Sequence, residues 1–296
     1  MPTIWINERL QDDDAPAVPA RDAGLLHGLG VFTTMSVERG NVFRLPMHLA
    51  RVRASCQALH LPLPYDDARL IAAVGEVIDA NAETPNLRLR LTVTGGQPTP
   101  GGQVPTVLLT ALPVGDEVAD LRRTGTRVTL VSDHKLNPYD PTAGHKCLDY
   151  VARFGALREA ARHSCGEALW FNVHNYLQSG SVSNVFLVKD GRLLTPPTQA
   201  DLADPANAEG CPYPRSNVLP GVVRHAVLES AAKLGIDTAT PAIDVDTLLA
   251  ADEVFVTNSL MRVLPVTHRE AEPVGTGSVG EVTKRLAEAV DALHDA

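Results

Sequence analysis

The stretch Ala143-Gly144-His145-Lys146-Cys147-Leu148-Asp149-Tyr150 carries one of only five lysines in 296 residues, and the first lysine of the chain comes only at Lys135. Arginine supplies nearly all the remaining positive charge. Here a loop of small residues runs into an amphipathic segment, residues 150–161, whose spacing predicts a helix burying Val151, Phe154, Leu157 and Ala161. A lysine at the edge of a core, desolvated or beside another cation, is a candidate nucleophile or Schiff-base former. Taken alone, Lys146 would more often be a surface lysine after a loop, because lysine is so seldom buried.

Working outward, the chain is long for one core, and two domains are expected. A net charge of -9 argues against nucleic-acid or anionic-membrane partners, which favour basic patches. No apolar run approaches the roughly 20 residues needed to span a bilayer. Met1-Pro2-Thr3-Ile4-Trp5 lacks the basic and apolar regions of a signal peptide, so a cytoplasmic location is expected. Cys56, Cys147, Cys165 and Cys211 show no CxxC spacing, and reduced thiols are the default. The ten histidines show no HExxH pattern, so no metal site is expected and a metal hydrolase is the weakest reading.

Residues 1–122 read as a small α+β domain: a strand near residues 3–7, a Gly-punctuated run from Asp22, a strand through Val37 turning at Arg39-Gly40-Asn41, helices over 46–59 and 66–80, and strands over 87–94 and 106–112. Residues 123–135 read as an interdomain linker with a first strand over 128–131, and 136–296 as a larger, β-rich cofactor-binding domain. Within it, 168–171, 176–177, 183–188 and 193–194 resemble a β-meander. Residues 198–217 show no period and read as a long surface loop, either a lid or a plain insertion. Leu219-Pro220-Gly221-Val222-Val223-Arg224 starts a helix to Leu234, a strand over 253–257 ends in Asn258-Ser259, and a last helix covers 279–294.

Four segments taken together resemble the fold-type IV pyridoxal-phosphate enzymes, the class-IV aminotransferase family that includes branched-chain and D-amino-acid aminotransferases and 4-amino-4-deoxychorismate lyase. They are residues 22–34 with Arg51 beyond, 145–150, 176–186, and 219–224 with 251–259. The resemblance implies a two-domain α+β and α/β fold, with a small N-terminal domain and a larger C-terminal pseudo-barrel domain flanked by helices. It implies pyridoxal 5′-phosphate as cofactor, Lys146 as the Schiff-base and proton-shuttling residue, and a homodimer acting on amino acid and 2-oxo acid substrates. Phosphate would be held by Arg51, by the backbone N–H groups of Val222 and Val223 after Gly221, and by Ser259, where the family has threonine. Leu219 would pack on the pyridine ring, and Arg224 would be structural. Standing alone, Arg51 would read as a solvated helix arginine.

Departures from the family pattern bear on the chemistry. Ser179 stands where the family has the glutamate that keeps the pyridine nitrogen protonated, and Gln178 before it cannot supply the charge. Without a carboxylate the ring is a weaker electron sink, which points to a slower or altered transaminase or to elimination, unless another carboxylate reaches the nitrogen. His27 replaces a frequent active-site tyrosine, Thr33 replaces a glutamate, and Gly95 stands where D-amino-acid enzymes carry an arginine, which weakens the D-amino-acid reading. Arg90 is either a substrate ligand or a solvent-facing charge on an alternating strand, and Arg88 shares that ambiguity. Tyr150 follows Lys146 by four, against five for the cofactor-contacting tyrosine of branched-chain aminotransferases, and Asp149 is its rival. The leading expectation is an aminotransferase. The first alternative is 4-amino-4-deoxychorismate lyase, releasing pyruvate and 4-aminobenzoate, and the second is a pyridoxal-phosphate-binding protein with little catalysis.

Overall fold

The structure is a computed structural model that describes residues 2–15, 18–115, 117–204 and 211–295. It divides into two contact-dense units, Met1–Gly115 with His145–Asp149, and Asp116–Gly144 with Tyr150–Ala296. The segment bearing Lys146 therefore belongs to the first unit, although residues of the second flank it on both sides in the chain.

In the first unit, β1 (Thr3–Ile6), β2 (Arg9–Asp12), β3 (Gly30–Glu38), β4 (Asn41–Val42), β5 (Asn86–Thr94) and β8 (Val107–Pro113) form an antiparallel sheet in the order β2-β1-β8-β5-β3-β4. A separate hairpin joins β6 (Gln97–Thr99) to β7 (Gly102–Val104). Arg39 and Gly40 both take positive φ between β3 and β4, the geometry that suits a two-residue hairpin turn. On β5 the alternation holds: Leu87, Leu89, Leu91 and Val93 are buried, while Arg88 and Arg90 take the other face. Helices Leu45–Ala58 and Asp67–Ala80 cover the buried face, closing a core around Trp5, Met35, Leu49, Leu70 and Val77. Asp66 caps the second helix by accepting from Arg69 N.

The second unit is built on β9 (Thr126–Leu130), β10 (Glu167–Phe171), β11 (Leu177–Gly180), β12 (Asn184–Lys189), β13 (Arg192–Leu194), β14 (Thr238–Ala239), β15 (Glu253–Asn258), β16 (Arg262–Arg269) and β17 (Glu272–Pro273). The order is β11-β10-β9-β16-β15-β12-β13-β14, with β17 on β16. Strands β10, β11 and β12 are buried almost end to end, as expected where both sheet faces are covered. Helices Val222–Lys233 and Glu281–Asp295 pack beside β15 and β16.

Three expectations need correction. The predicted meander is two local hairpins, β10/β11 and β12/β13, that lie apart in the sheet, because β9 pairs in parallel with β10 and the β15/β16 hairpin pairs with β12. The helix after Lys146, Val151–Arg162, leaves Val151 82% and Phe154 53% exposed, Ala161 is exposed as well, and Ala160 is the buried residue. Small Ala156 and Ala160 pack against the cluster around Trp170, which the bulkier residues could not do as closely. The described part of 198–217 is more than surface loop, since Thr198 closes a capping box on helix Gln199–Leu202, and Tyr213 and Ser216 are buried. Residues 205–210 lie outside the described residues.

Candidate active site

In the first unit, the lysine-bearing segment runs antiparallel to the start of β3. Phe32 N donates to Lys146 O at 2.9 Å, Leu148 N donates to Gly30 O at 2.9 Å, and Val31 bridges Cys147. Gly30 makes the approach feasible, because a Cβ there would lie 2.6 Å from both Leu148 Cδ1 and Val93 O. Lys146 Nζ is 4.6 Å from the centre of the Phe32 ring, and the Arg90 guanidinium carbon is 3.6 Å from the same centre. Arg90 also donates through Nε to Thr92 Oγ1 at 3.2 Å, so it is not a freely solvated charge. His145 pairs with Ser55 Oγ at 2.9 Å, and burial lowers its pKa.

Arg51, on helix Leu45–Ala58, donates through Nη2 to Thr33 Oγ1 at 2.8 Å, and Thr33 Oγ1 lies 2.7 Å from His48 Nδ1. A guanidinium only donates, so the Thr33 hydroxyl accepts from Arg51, and Arg51 Nη2 also lies 3.5 Å from His48 Nδ1, which fits an Nδ1 that accepts the Thr33 proton. That requires a neutral ring. Burial, followed by the charges of Arg51 and Lys146, pushes the His48 pKa down to about 3. Arg51, Thr33 and Lys146 thus belong to one neighbourhood. His27 closes the five-residue helix Ala23–His27 with its side chain exposed, and Asp149 is exposed too.

In the second unit, helix Val222–Lys233 begins after Gly221 with no side-chain cap and no acidic residue in its first turn. Asn184 Nδ2 donates to Leu219 O at 2.9 Å, fixing the turn that leads in. A Cβ on Gly221 would lie 2.0 Å from Asn184 Oδ1, so glycine is needed there for space rather than for an unusual φ. Asn184 faces Thr257 across the β12/β15 ladder, and the buried Thr257 Oγ1 has no hydrogen-bond partner among the described residues. Ser259 follows in the turn that leaves β15. Uncapped first-turn N–H groups at Val222 and Val223 suit a phosphate dianion. Arg224 is buried and paired with Asp201 at 2.7 Å, which gives it a structural role.

Ser179, buried on β11 opposite Trp170, accepts from Arg153 Nη1 at 3.4 Å. The same nitrogen donates to Gly180 O at 3.0 Å and Ser181 O at 3.1 Å. Tyr150 precedes this helix and packs against Phe154, ring centres 5.9 Å apart. Gln178 is spent elsewhere: Nε2 donates to Leu177 O and Tyr213 OH, and Oε1 accepts from Asn217 N. Glu167, fully buried, accepts at Oε1 from Ala168 N and Ser181 N and at Oε2 from Val182 N and Ser183 Oγ. Burial pushes its carboxyl pKa up against the pull of those four donors. Sequence reading missed Phe32, Arg153, Glu167 and Thr257. Only Phe32 left a local signal, as the aromatic residue beside Thr33.

Comparison with known proteins places these features in context. The family described as Amino-transferase class IV matches residues 30–268. The branched-chain-amino-acid aminotransferase of Escherichia coli is 28% identical over 300 residues, covering 98% of this chain and 92% of that protein. Its crystal structure superposes with a TM-score of 0.87 at 26% identity, covering 98% of this chain and 93% of the other. A hypothetical aminotransferase from Mycobacterium tuberculosis, solved in a PLP-bound form, superposes with a TM-score of 0.85 at 25% identity over 99% of this chain and all of its own. The aminodeoxychorismate lyase of Bacillus subtilis is 25% identical over 289 residues, 96% of this chain and 92% of that enzyme.

Proposed function

Because the chain belongs to the amino-transferase class IV family, we propose that it moves an amino group between an amino acid and a 2-oxo acid with pyridoxal 5′-phosphate as cofactor. Its architecture is that of the fold-type IV enzymes. The observation that carries the reading is Lys146, whose segment is held against β3 by backbone hydrogen bonds at Lys146 and Leu148, with its amine over the Phe32 ring.

The cofactor, when bound, supplies an electron sink that acidifies the C–H bond of the substrate α-carbon. Lys146 Nζ would anchor it and would accept and return the α-carbon proton, which needs an amine on a fixed backbone. By the family resemblance, Arg51, the N–H groups of Val222 and Val223 after Gly221, and Ser259 would hold the phosphate, while Leu219 would pack on the ring and Ser179 would serve its nitrogen. Thr33 keeps Arg51 in place through the hydrogen bond on Nη2. Arg90, Tyr150 and His27 are the candidate substrate-facing and cofactor-facing groups beyond these.

The lyase reading is favoured by one observation, the hydroxyl of Ser179 where an aminotransferase is expected to carry a carboxylate. A homodimer is supported by large apolar side chains left at the surface, Leu25, Leu26 and Leu29 in the first unit and Val151 and Phe154 in the second. A cytoplasmic location is supported by four free cysteines, and no helix among the described residues is long and apolar enough to cross a membrane.

The test is the visible absorption of protein supplied with pyridoxal phosphate, beside Lys146→Ala. A band that depends on Lys146, bleaches with an amino acid and returns with a 2-oxo acid supports the aminotransferase. A band unmoved by amino acids, with pyruvate released only from a chorismate-derived amine, supports the lyase. No Lys146-dependent band sinks both.

A further inference from the structure

We propose that Arg153, acting through the Ser179 hydroxyl, holds the ring nitrogen of the bound cofactor unprotonated. The proposal rests on the cofactor site assigned above and deepens it.

Ser179 Oγ has one proton and two lone pairs, and Arg153 Nη1 occupies one of the pairs at 3.4 Å. The O–H and the second lone pair remain to face the ring nitrogen. A neutral pyridine nitrogen would accept the O–H, whereas a pyridinium N–H would donate into the second lone pair and set a second cation on the oxygen that already accepts from Arg153. Charge decides between the two. The Arg153 guanidinium is held by Ser179 Oγ, Gly180 O and Ser181 O, all neutral acceptors, so its positive charge is not cancelled by a carboxylate at its own hydrogen bonds. A second cation beside it is disfavoured.

The nearby groups that could reverse this are engaged. Both carboxylate oxygens of Glu167 are taken up by four donors of residues 168 and 181–183. Gln178 is bonded to Leu177, Tyr213 and Asn217. Arg153 is held further by Trp170, whose ring centre lies 5.7 Å from the guanidinium carbon and whose Nε1 donates to Ser181 Oγ at 2.8 Å. Arg153 is a positioning residue here: it orients and biases Ser179. The consequence is a weaker electron sink, so more of the work of removing the α-carbon proton falls on Lys146.

Nitrogen NMR of the protein loaded with ring-¹⁵N pyridoxal phosphate reads the protonation state directly, apart from turnover. The expected result is a pyridine-type shift in the wild type between pH 6 and 8.5, a pyridinium shift in Ser179→Glu, and in Arg153→Gln a ring-nitrogen pKa raised by about one unit or more, with Arg153→Lys close to wild type. A pyridinium shift in the wild type overturns the proposal, as does an Arg153→Gln titration that matches wild type. If Arg153→Gln does not hold the cofactor, Arg153→Lys, which keeps the charge, is compared with Arg153→Met, and equal ring-nitrogen titrations in the two overturn the proposal. The Lys146-dependent visible band separates the two levels: a band with a pyridinium signal overturns only this proposal, and the absence of a band overturns the cofactor site as well.

Discussion

Thr33 Oγ1 stands 2.7 Å from Nδ1 of His48, and both side chains are buried. Arg51 donates into the same hydroxyl and lies 3.5 Å from Nδ1 itself, and burial beside that cation keeps the His48 ring neutral. Its pKa falls from 6.5 to about 3 in the folded protein, so between those values the unfolded chain binds the extra proton. Stability contributed by neutral His48 is therefore complete above pH 6.5 and is lost as pH falls toward 3. Going from pH 7 to pH 5, wild type should lose about 2 kcal/mol that His48→Gln does not lose. Urea midpoints at the two pH values measure this, and His294, also depressed, to about 4, cancels between the two backgrounds. Identical pH dependence in the two proteins would show that His48 is not held neutral.

Gly221→Ala places a methyl 2.0 Å from Asn184 Oδ1, so Asn184 must move and give up Leu219 O. The first-turn amides should then be misplaced and cofactor affinity should fall by roughly tenfold or more, since about 1.4 kcal/mol suffices. Because the clash is with one side chain, Gly221→Ala combined with Asn184→Ala should bind no worse than Asn184→Ala alone. Fluorescence titration with pyridoxal phosphate checks both. Purely additive losses would mean that the glycine matters for some other reason.

Glu167→Gln keeps the shape but leaves one acceptor oxygen and an NH₂ where four donors now meet a carboxylate. At least one buried N–H or hydroxyl of residues 168 and 181–183 loses its partner, at about 1–3 kcal/mol each. The melting temperature should drop by roughly 5 °C. An unchanged melting temperature would mean that the carboxyl is protonated in the folded state and already presents a donor.

The parts of this fold that can be read from the chain are the local ones. Arg39-Gly40 announces its turn, Asp66 its helix cap, and the alternation of β5 its buried leucines, because each depends on neighbours within a few residues. Lys146 is legible for the same reason: a small-residue loop and a helix bracket it. Strand order in the second unit is not, since β9 reaches β10 and β16 across distant sequence. The helix after Lys146 shows a subtler failure. Its largest apolar residues, Val151 and Phe154, suggest the buried face, but Ala156 and Ala160 are the ones that fit beside Trp170. Arg153 comes with that misread face, and its bond to Ser179 spans 26 residues of chain with no periodic signal.

The same two apolar residues lead to a last expectation. Leu25 and Leu26 in the first unit are 62% and 56% exposed, and Val151 and Phe154 in the second are more than half exposed, too much apolar surface to leave in water without cause. If a second copy of the chain covers them, Leu25→Glu with Leu26→Glu, or Phe154→Glu alone, should convert a dimer to a monomer by light scattering while the far-ultraviolet circular dichroism stays unchanged. None of the four is a core residue, so unfolding is not the expected route to monomer. Each buried large side chain is worth about 1.5–3 kcal/mol, so two charges at such positions outweigh most of the affinity of a micromolar dimer. A wild type that is already monomeric, or variants that remain dimeric, would place the interface elsewhere or remove it.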